Sequence, residues 1–234
     1  MKKTSLIIGG HRGIGLVILN TLKKRGDNIF SVSRSQINSK NFISADINTT
    51  EGLEKIKKIF KNIKINNLIF SHRYRGLNSL EEFQIMVDAT INLIKIFNNN
   101  FFKNSSIIVL SSIANSTIIG DQNASYHYTR GALETLVKYY ACTLGKKKIR
   151  VNCIQATKIF KPENKSYFSK KNNIERKLME KITPLRRMGD SQDVADLVDF
   201  LTSDKSTFIT GTIIPVDGGL RLVSQEQIAK MFIK

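Results

Sequence analysis

The chain has 234 residues, 37 Lys and Arg against 19 Asp and Glu, a net charge of +18 and two cysteines. That length holds one sizeable core, and no Pro-rich, Gly/Ser-rich or low-complexity linker divides it, so a single domain over 1–234 is expected. Cys142 and Cys153 form no CxxC pair and no disulfide framework, three scattered histidines make no metal site, and no run of about 18 apolar residues marks a membrane span.

The opening MKKTSLIIGGHRGIGLVIL has a basic start and an apolar stretch, but HRG interrupts the run and no small-residue cleavage site follows. A cytoplasmic location is expected. The positive charge favours anionic partners by long-range attraction. Lysine is nevertheless spread through segments such as KNIKINN and GKKKIR, as on any solvated face, so nucleic acid and membrane are not expected as partners.

In chain order, the short β-branched runs TSLIIG, NIFSVS, NFISAD, NNLIFS, SSIIVLS, IRVNCI and TIIPVD predict strands that are mostly too continuous in apolar character to be half exposed. Helical patterns lie between them: Gly13 to Lys24, EGLEKIKKIFKNI, EEFQIMVDATINLIKIF, YHYTRGALETLVKYYACTL and DSQDVADLVDFLTS, the last opened by an Asp190/Asp193 capping box. This alternation predicts an α/β doubly wound Rossmann fold, a parallel sheet with helices on both faces and its ligand site beyond the carboxyl ends of the strands.

After the first strand comes GGHRGIG, with Gly9, Gly13 and Gly15 on a GxxxGxG spacing between strand and helix. Glycine allows a tight turn, and the helix that follows offers free N–H groups to a phosphate, which points to a dinucleotide. The second strand ends in Ser33 and Arg34, where an NAD site usually carries an acid. Arg34, with Arg12 in the glycine loop, suits a 2′-phosphate, so NADP(H) is the expected cofactor. Further on, Tyr126 and Arg130 stand four residues apart on one helical face, so they meet either as a proton-transfer pair or as ordinary helix surface.

Taken together, GGHRGIG, SADINT, IIVLSS, YHYTRGAL, IRVNCI and the closing run TPLRRMGDSQDVADLVDFLTSDKSTFITGTIIPVDGG resemble the short-chain dehydrogenase/reductase family over nearly the whole chain, most closely its 3-oxoacyl-carrier-protein-reductase-like members. The resemblance implies a seven-stranded parallel sheet with three helices on each side, a homotetramer or dimer, and hydride transfer between NADP(H) and a carbonyl or alcohol. It implies catalytic roles for Ser112, Tyr126, Arg130 in the lysine's place, and Asn92, with Thr90 as another alignment. For the cofactor it implies Gly9, His11, Arg12, Gly13, Ile14, Ser33, Arg34, Asp46, Ile47, Ser71, His72, Tyr126, Arg130 and Ile159. FSHR replaces the family's NNAG, AT replaces its PG, and a basic segment around 158–182 replaces its substrate lid. A phosphorylated or nucleotide-linked small-molecule substrate is a candidate on that account. The HRYR cluster, His72 to Arg75, either holds a pyrophosphate or anionic substrate, or is a solvated basic loop.

Arginine serves the tyrosine electrostatically. About 4 kcal/mol of phenolate stabilisation is needed near neutral pH, and a unit charge about 4 Å away in an effective dielectric near 20 supplies about that much. A guanidinium stays protonated, however, and cannot relay a proton as an ammonium does. A nucleotide-binding module that has lost turnover is therefore the alternative expectation.

Overall fold

The computed structural model describes residues 2–36, 39, 41–170 and 173–233. The ends of the expected domain and residues 171 and 172 of the expected lid lie outside them. Seven strands form one parallel sheet: β1 (Thr4–Ile8), β2 (Asn28–Ser33), β3 (Phe42–Ser44), β4 (Ile65–Phe70), β5 (Phe101–Ser112), β6 (Arg150–Ala156) and β7 (Ile213–Val216), in the order β3-β2-β1-β4-β5-β6-β7. Order reverses between β1 and β4, which opens a crevice at the carboxyl ends of the strands.

Between the strands run α1 (Gly13–Lys24), α2 (Thr50–Ile59), α3 (Ser79–Phe83), α4 (Ala89–Phe97), α5 (Ala124–Gly145), α6 (Lys165–Phe168), α7 (Ile174–Ile182), α8 (Ser191–Leu201) and α9 (Gln225–Lys230). Strand side chains alternate between the faces. Ile7, Ile69, Ile108 and Ile154 pack under Ile18 and Leu22 of α1 and Val194, Val198 and Leu201 of α8. Their neighbours Leu6, Ile8, Leu68, Phe70, Ile107, Val109 and Cys153 pack on the other face, under Ile56 of α2, Leu93 and Phe97 of α4 and Leu133 and Val137 of α5. α1 and α8 thus cover one face of the sheet and α2, α4 and α5 the other. The Asp190/Asp193 capping box is present at the start of α8, each carboxylate accepting from the other residue's backbone N–H. Among the described residues no helix is long and apolar enough to cross a membrane.

At the amino ends of the strands a buried polar knot joins four elements. Ser5 Oγ donates to Asp27 Oδ2 at 2.5 Å and accepts from Asn67 Nδ2 at 2.8 Å. Arg25 donates to both Asp27 oxygens and, through Nη1, to Asp199 Oδ1 and Thr202 Oγ1 of the α8 end. Asp27 is 6% exposed, so its charge depends on these donors. Asp27→Ala is expected to lower stability by about 2–3 kcal/mol in urea unfolding, because it leaves buried donors unpaired; a change within error would show the knot to be dispensable.

Candidate active site

The carboxyl ends of β1, β2, β4, β5 and β6 open into a cleft of about 1160 Å³. That exceeds the usual range of about 300–1,000 Å³ for one small ligand and leaves room for a dinucleotide with a second molecule. Every residue expected to hold cofactor lines it: Gly9, His11, Arg12, Gly13, Ile14, Ser33, Arg34, Asp46, Ile47, Ser71, His72, Tyr126, Arg130 and Ile159. Ser112 lines it too.

Close backbone approach shapes the first turn. Gly9 has φ +87°, and a β-carbon there would lie 2.7 Å from His72 N; one on Gly15 would lie 2.2 Å from the Gly9 carbonyl oxygen. Larger residues at either place would force β1, β4 and α1 apart. The first turn of α1 carries no acidic residue, and Arg12 gives it no side-chain cap, so its N–H groups face the cleft side of the turn without an internal anion from α1. Arg12 and Arg34 are both exposed on the rim near the end of β2. His11 shares a hydrogen bond with Ser35 at 2.8 Å, and burial together with the Arg12 charge lowers its basicity.

Opposite lies the Tyr126 pair, where α5 starts. The buried stripe of α5 begins with Ser125, Thr129 and Arg130 and turns apolar with Leu133 and Val137, so its first turns belong to the cleft and the rest to the core. Arg130 is 4% exposed, and its guanidinium carbon lies 4.5 Å from the centroid of the Tyr126 ring. Among the described residues its Nε is buried without a hydrogen-bond partner. Burial lowers the Arg130 pKa from its ordinary value, against the attraction of Tyr126 and Glu82 and with the help of Arg73. Arg73 also reaches the phenol, its guanidinium carbon 5.5 Å from the ring centroid.

Ser112 ends β5 in register with Ala156 of β6, and its Oγ accepts from Ala114 N at 3.3 Å. Its neighbour Ser111 donates to Glu134, a buried carboxylate that also accepts from Asn115 and Gln155. Burial pushes the Glu134 carboxyl up from its ordinary value. This carboxylate locks the end of β5, the following turn and β6 to α5, and nothing in the spacing of the sequence announces it. Likewise Glu82 of α3, 4% exposed, accepts from Ser125 at 2.6 Å and fixes the start of α5.

Asn92 is the correction. It is exposed on α4 and does not line the cleft, because α4 turns Leu93, Ile94 and Phe97 into the core and leaves Asn92 on the outer face. Thr90 is buried, but its hydroxyl is spent on the Met86 carbonyl at 2.7 Å. A π-helical turn over Gln84–Asp88 instead brings Ile85 to the cleft wall, where its carbonyl meets His72 Nε2 at 2.9 Å. A helix-period reading of the sequence does not reveal such an added residue per turn. Since a carbonyl only accepts, His72 carries its proton on Nε2, which leaves the buried Nδ1 an acceptor without a partner among the described residues. The C-terminal segment, with Leu220, Arg221, Val223 and Ile228, also lines the cleft beside Met179 and Ile182 of α7, the latter two within the expected lid.

The family described as enoyl-(acyl carrier protein) reductase matches residues 10–221. Among curated relatives, the L-xylulose reductase of Bos taurus is 28% identical over 93% of this chain and 96% of its own. A tropinone reductase homolog of Arabidopsis thaliana is 30% identical over 93% and 91%. Among solved structures, a short chain dehydrogenase family protein from Francisella tularensis is similar with a TM-score of 0.82 and 27% identity, covering 95% of this chain and 100% of that one.

Burial pushes His72 down to about 4 from 6.5, with the Arg130 charge acting the same way and the bond to Ile85 opposing it. Between those values the unfolded chain binds more protons than the folded one, so the stability is complete above about pH 6.5 and is lost as pH falls toward 4. From pH 7 to pH 5 this group should cost about 2 kcal/mol. Urea unfolding of His72→Gln at both pH values should show a loss smaller by that amount; an equal loss in the two proteins would remove His72 as the cause.

Proposed function

The chain belongs to the short-chain dehydrogenase/reductase family, and on that premise we propose that it is an NADP(H)-dependent oxidoreductase interconverting a carbonyl compound and its alcohol, with Ser112, Tyr126 and Arg130 as its catalytic residues. The observation that carries this reading is the buried Arg130 guanidinium stacked on Tyr126 in a cleft whose far end is a glycine cradle. A buried cation with an unpartnered Nε calls for an acceptor. Ribose hydroxyls of a dinucleotide meet that need, and the Nδ1 of His72 offers them an acceptor in return.

Gly9, Gly13 and Gly15 would admit the pyrophosphate to the amino end of α1. Arg34 and Arg12 would hold the 2′-phosphate, and Asp46 and Ile47 would flank the adenine. When bound, the nicotinamide gives or takes the hydride at the substrate carbon. Ser112 donates a hydrogen bond to the carbonyl oxygen, and Tyr126 transfers its proton to that oxygen in reduction. Arg130 stabilises the phenolate that results. Because the guanidinium keeps its proton, Tyr126 is reprotonated from water rather than through Arg130. The homo-oligomeric assembly, a tetramer or dimer, and the 3-oxoacyl-carrier-protein-reductase-like subtype implied by the motifs belong to the same proposal.

One side chain opposes cofactor binding. A β-carbon at Gly13 would lie 3.0 Å from Glu163 Oε1, and Arg75 Nη2 lies 3.6 Å from the same oxygen. The carboxylate sits where an anion is favoured, at the start of α1. Glu163→Gln is therefore expected to tighten NADPH binding severalfold in a fluorescence titration, and weaker binding would make Glu163 a cofactor ligand instead.

NADPH absorbance followed with ketones, sugar-nucleotide ketones and 3-oxoacyl carrier thioesters tests the activity. Tyr126→Phe should lower kcat by about 10²–10⁴ while leaving NADPH bound, and Arg34→Ala should remove the preference for NADPH over NADH. No oxidation with any compound, together with activity awakened by Arg130→Lys, would make the chain a nucleotide-binding module that has lost turnover.

A further inference from the structure

The cations of the cleft fall into two groups. Arg75 faces Glu163 beside Gly13, and Lys158 pairs with Glu175, so both are matched with carboxylates at the lid. Arg73 and Lys161 have no carboxylate within 4.0 Å among the described residues, although both line the same cleft. Arg73 stands where the resembled NNAG motif ends in glycine, and its guanidinium lies against the Tyr126 ring, 5.5 Å from the centroid. Arg130 lies 4.5 Å from that centroid, so the phenol has two guanidinium groups close to it.

Lys161 is half-buried on the segment that follows β6 and lines the same cleft as Arg73. Burial lowers its basicity first, and the charges of Arg73, Arg75 and Lys158 lower it further, with Glu163 opposing. Like charges crowded into a partly desolvated cleft are unfavourable until an anion enters between them. A guanidinium fork matches a carboxylate or a phosphate with two parallel hydrogen bonds, and a neighbouring ammonium adds a third donor.

We propose that the substrate carries a carboxylate or phosphate within a few bonds of its reacting carbonyl, held by Arg73 beside Tyr126 with Lys161 of the same cleft as a second cation. Arg73 is then a specificity-determining residue, present because the loop after β4 carries a long cation in the place of a small residue. The inference rests on the reading of Tyr126 as the proton donor, and it divides the two arginines of the HRYR cluster: Arg75 toward the phosphate turn, Arg73 toward the substrate.

The test compares matched pairs of compounds: pyruvate and acetoacetate with their methyl esters, and dihydroxyacetone phosphate with dihydroxyacetone. Equilibrium binding to the NADPH-loaded Tyr126→Phe protein is measured by calorimetry, so no turnover is required. For at least one pair the anionic member should bind tenfold or more tightly than the neutral one. Adding Arg73→Gln should remove that ratio, and adding Lys161→Gln should reduce it, while the NADPH affinity measured in parallel stays the same. The carboxylate and phosphate pairs separate the two anion types. Equal affinity within every pair, no binding of any anionic member, or a loss of NADPH affinity as large as the loss of anion affinity on Arg73→Gln would overturn the proposal. Discrimination in binding without NADPH oxidation by the natural chain with any compound would keep the anion site and overturn the reductase reading.

Discussion

The approach of α1 to the end of β1 governs the cleft. A β-carbon on Gly15 would fall 2.2 Å from the Gly9 carbonyl oxygen, and one on Gly9 would strike the backbone of His72. Two hydrogen bonds hold the arrangement from the strand side, Gly9 N to Val32 O and Ser71 N to Ile8 O, each 2.8 Å. β1, β2 and β4 are thereby brought level where strand order reverses, and His72, Ser33 and the first turn of α1 reach one space.

Within that frame the chain accepts a charge that a core normally rejects. Arg130 is nearly enclosed, with Nε unpaired, and its nearest compensation is the Tyr126 ring and the more distant Glu82 carboxylate. A planar guanidinium tolerates this better than an ammonium, because it is more weakly hydrated and stacks on an aromatic face. The position thereby holds a fixed positive charge against the Tyr126 ring. Glu82 and Glu134 take no part in ion pairs within 4 Å among the described residues; they are satisfied by hydroxyl and amide donors and hold the start of α5 and the end of β5 in place.

Much of the architecture is legible in the sequence because it rests on local, periodic signals. The apolar β-branched runs correspond to the seven strands, and the Asp190/Asp193 box marks the start of α8. Residues next to strand ends were readable for the same reason: the parallel sheet delivers Gly9, Ser33, Ser71 and Ser112 to one edge whatever the helices do. Asn92 follows from aligning the chain with the resembled family's helical asparagine, and such an alignment does not register the π-helical turn over Gln84–Asp88 that precedes α4, where Asn92 is exposed. The Ser5–Asp27–Asn67 knot, the Glu134 network and the cleft wall supplied by residues 220–228 depend on contacts between distant segments, which no spacing encodes.

The two ends of the sheet therefore solve opposite electrostatic problems. At the amino ends, Arg25 and Asp27 are neutralised within the chain, and Asp199 and Thr202 absorb the remaining guanidinium donors. At the carboxyl ends, Arg73, Arg130 and Lys161 line one cleft with no carboxylate within 4.0 Å of any of them among the described residues, and burial and the Arg130 charge keep His72 neutral. Supplying Arg73 and Lys161 with fixed carboxylate partners would lower the cost of bringing these charges together, but it would also fill the space beside Tyr126. Their lack of such partners among the described residues leaves the positive potential of the cleft uncompensated beside the Tyr126 ring.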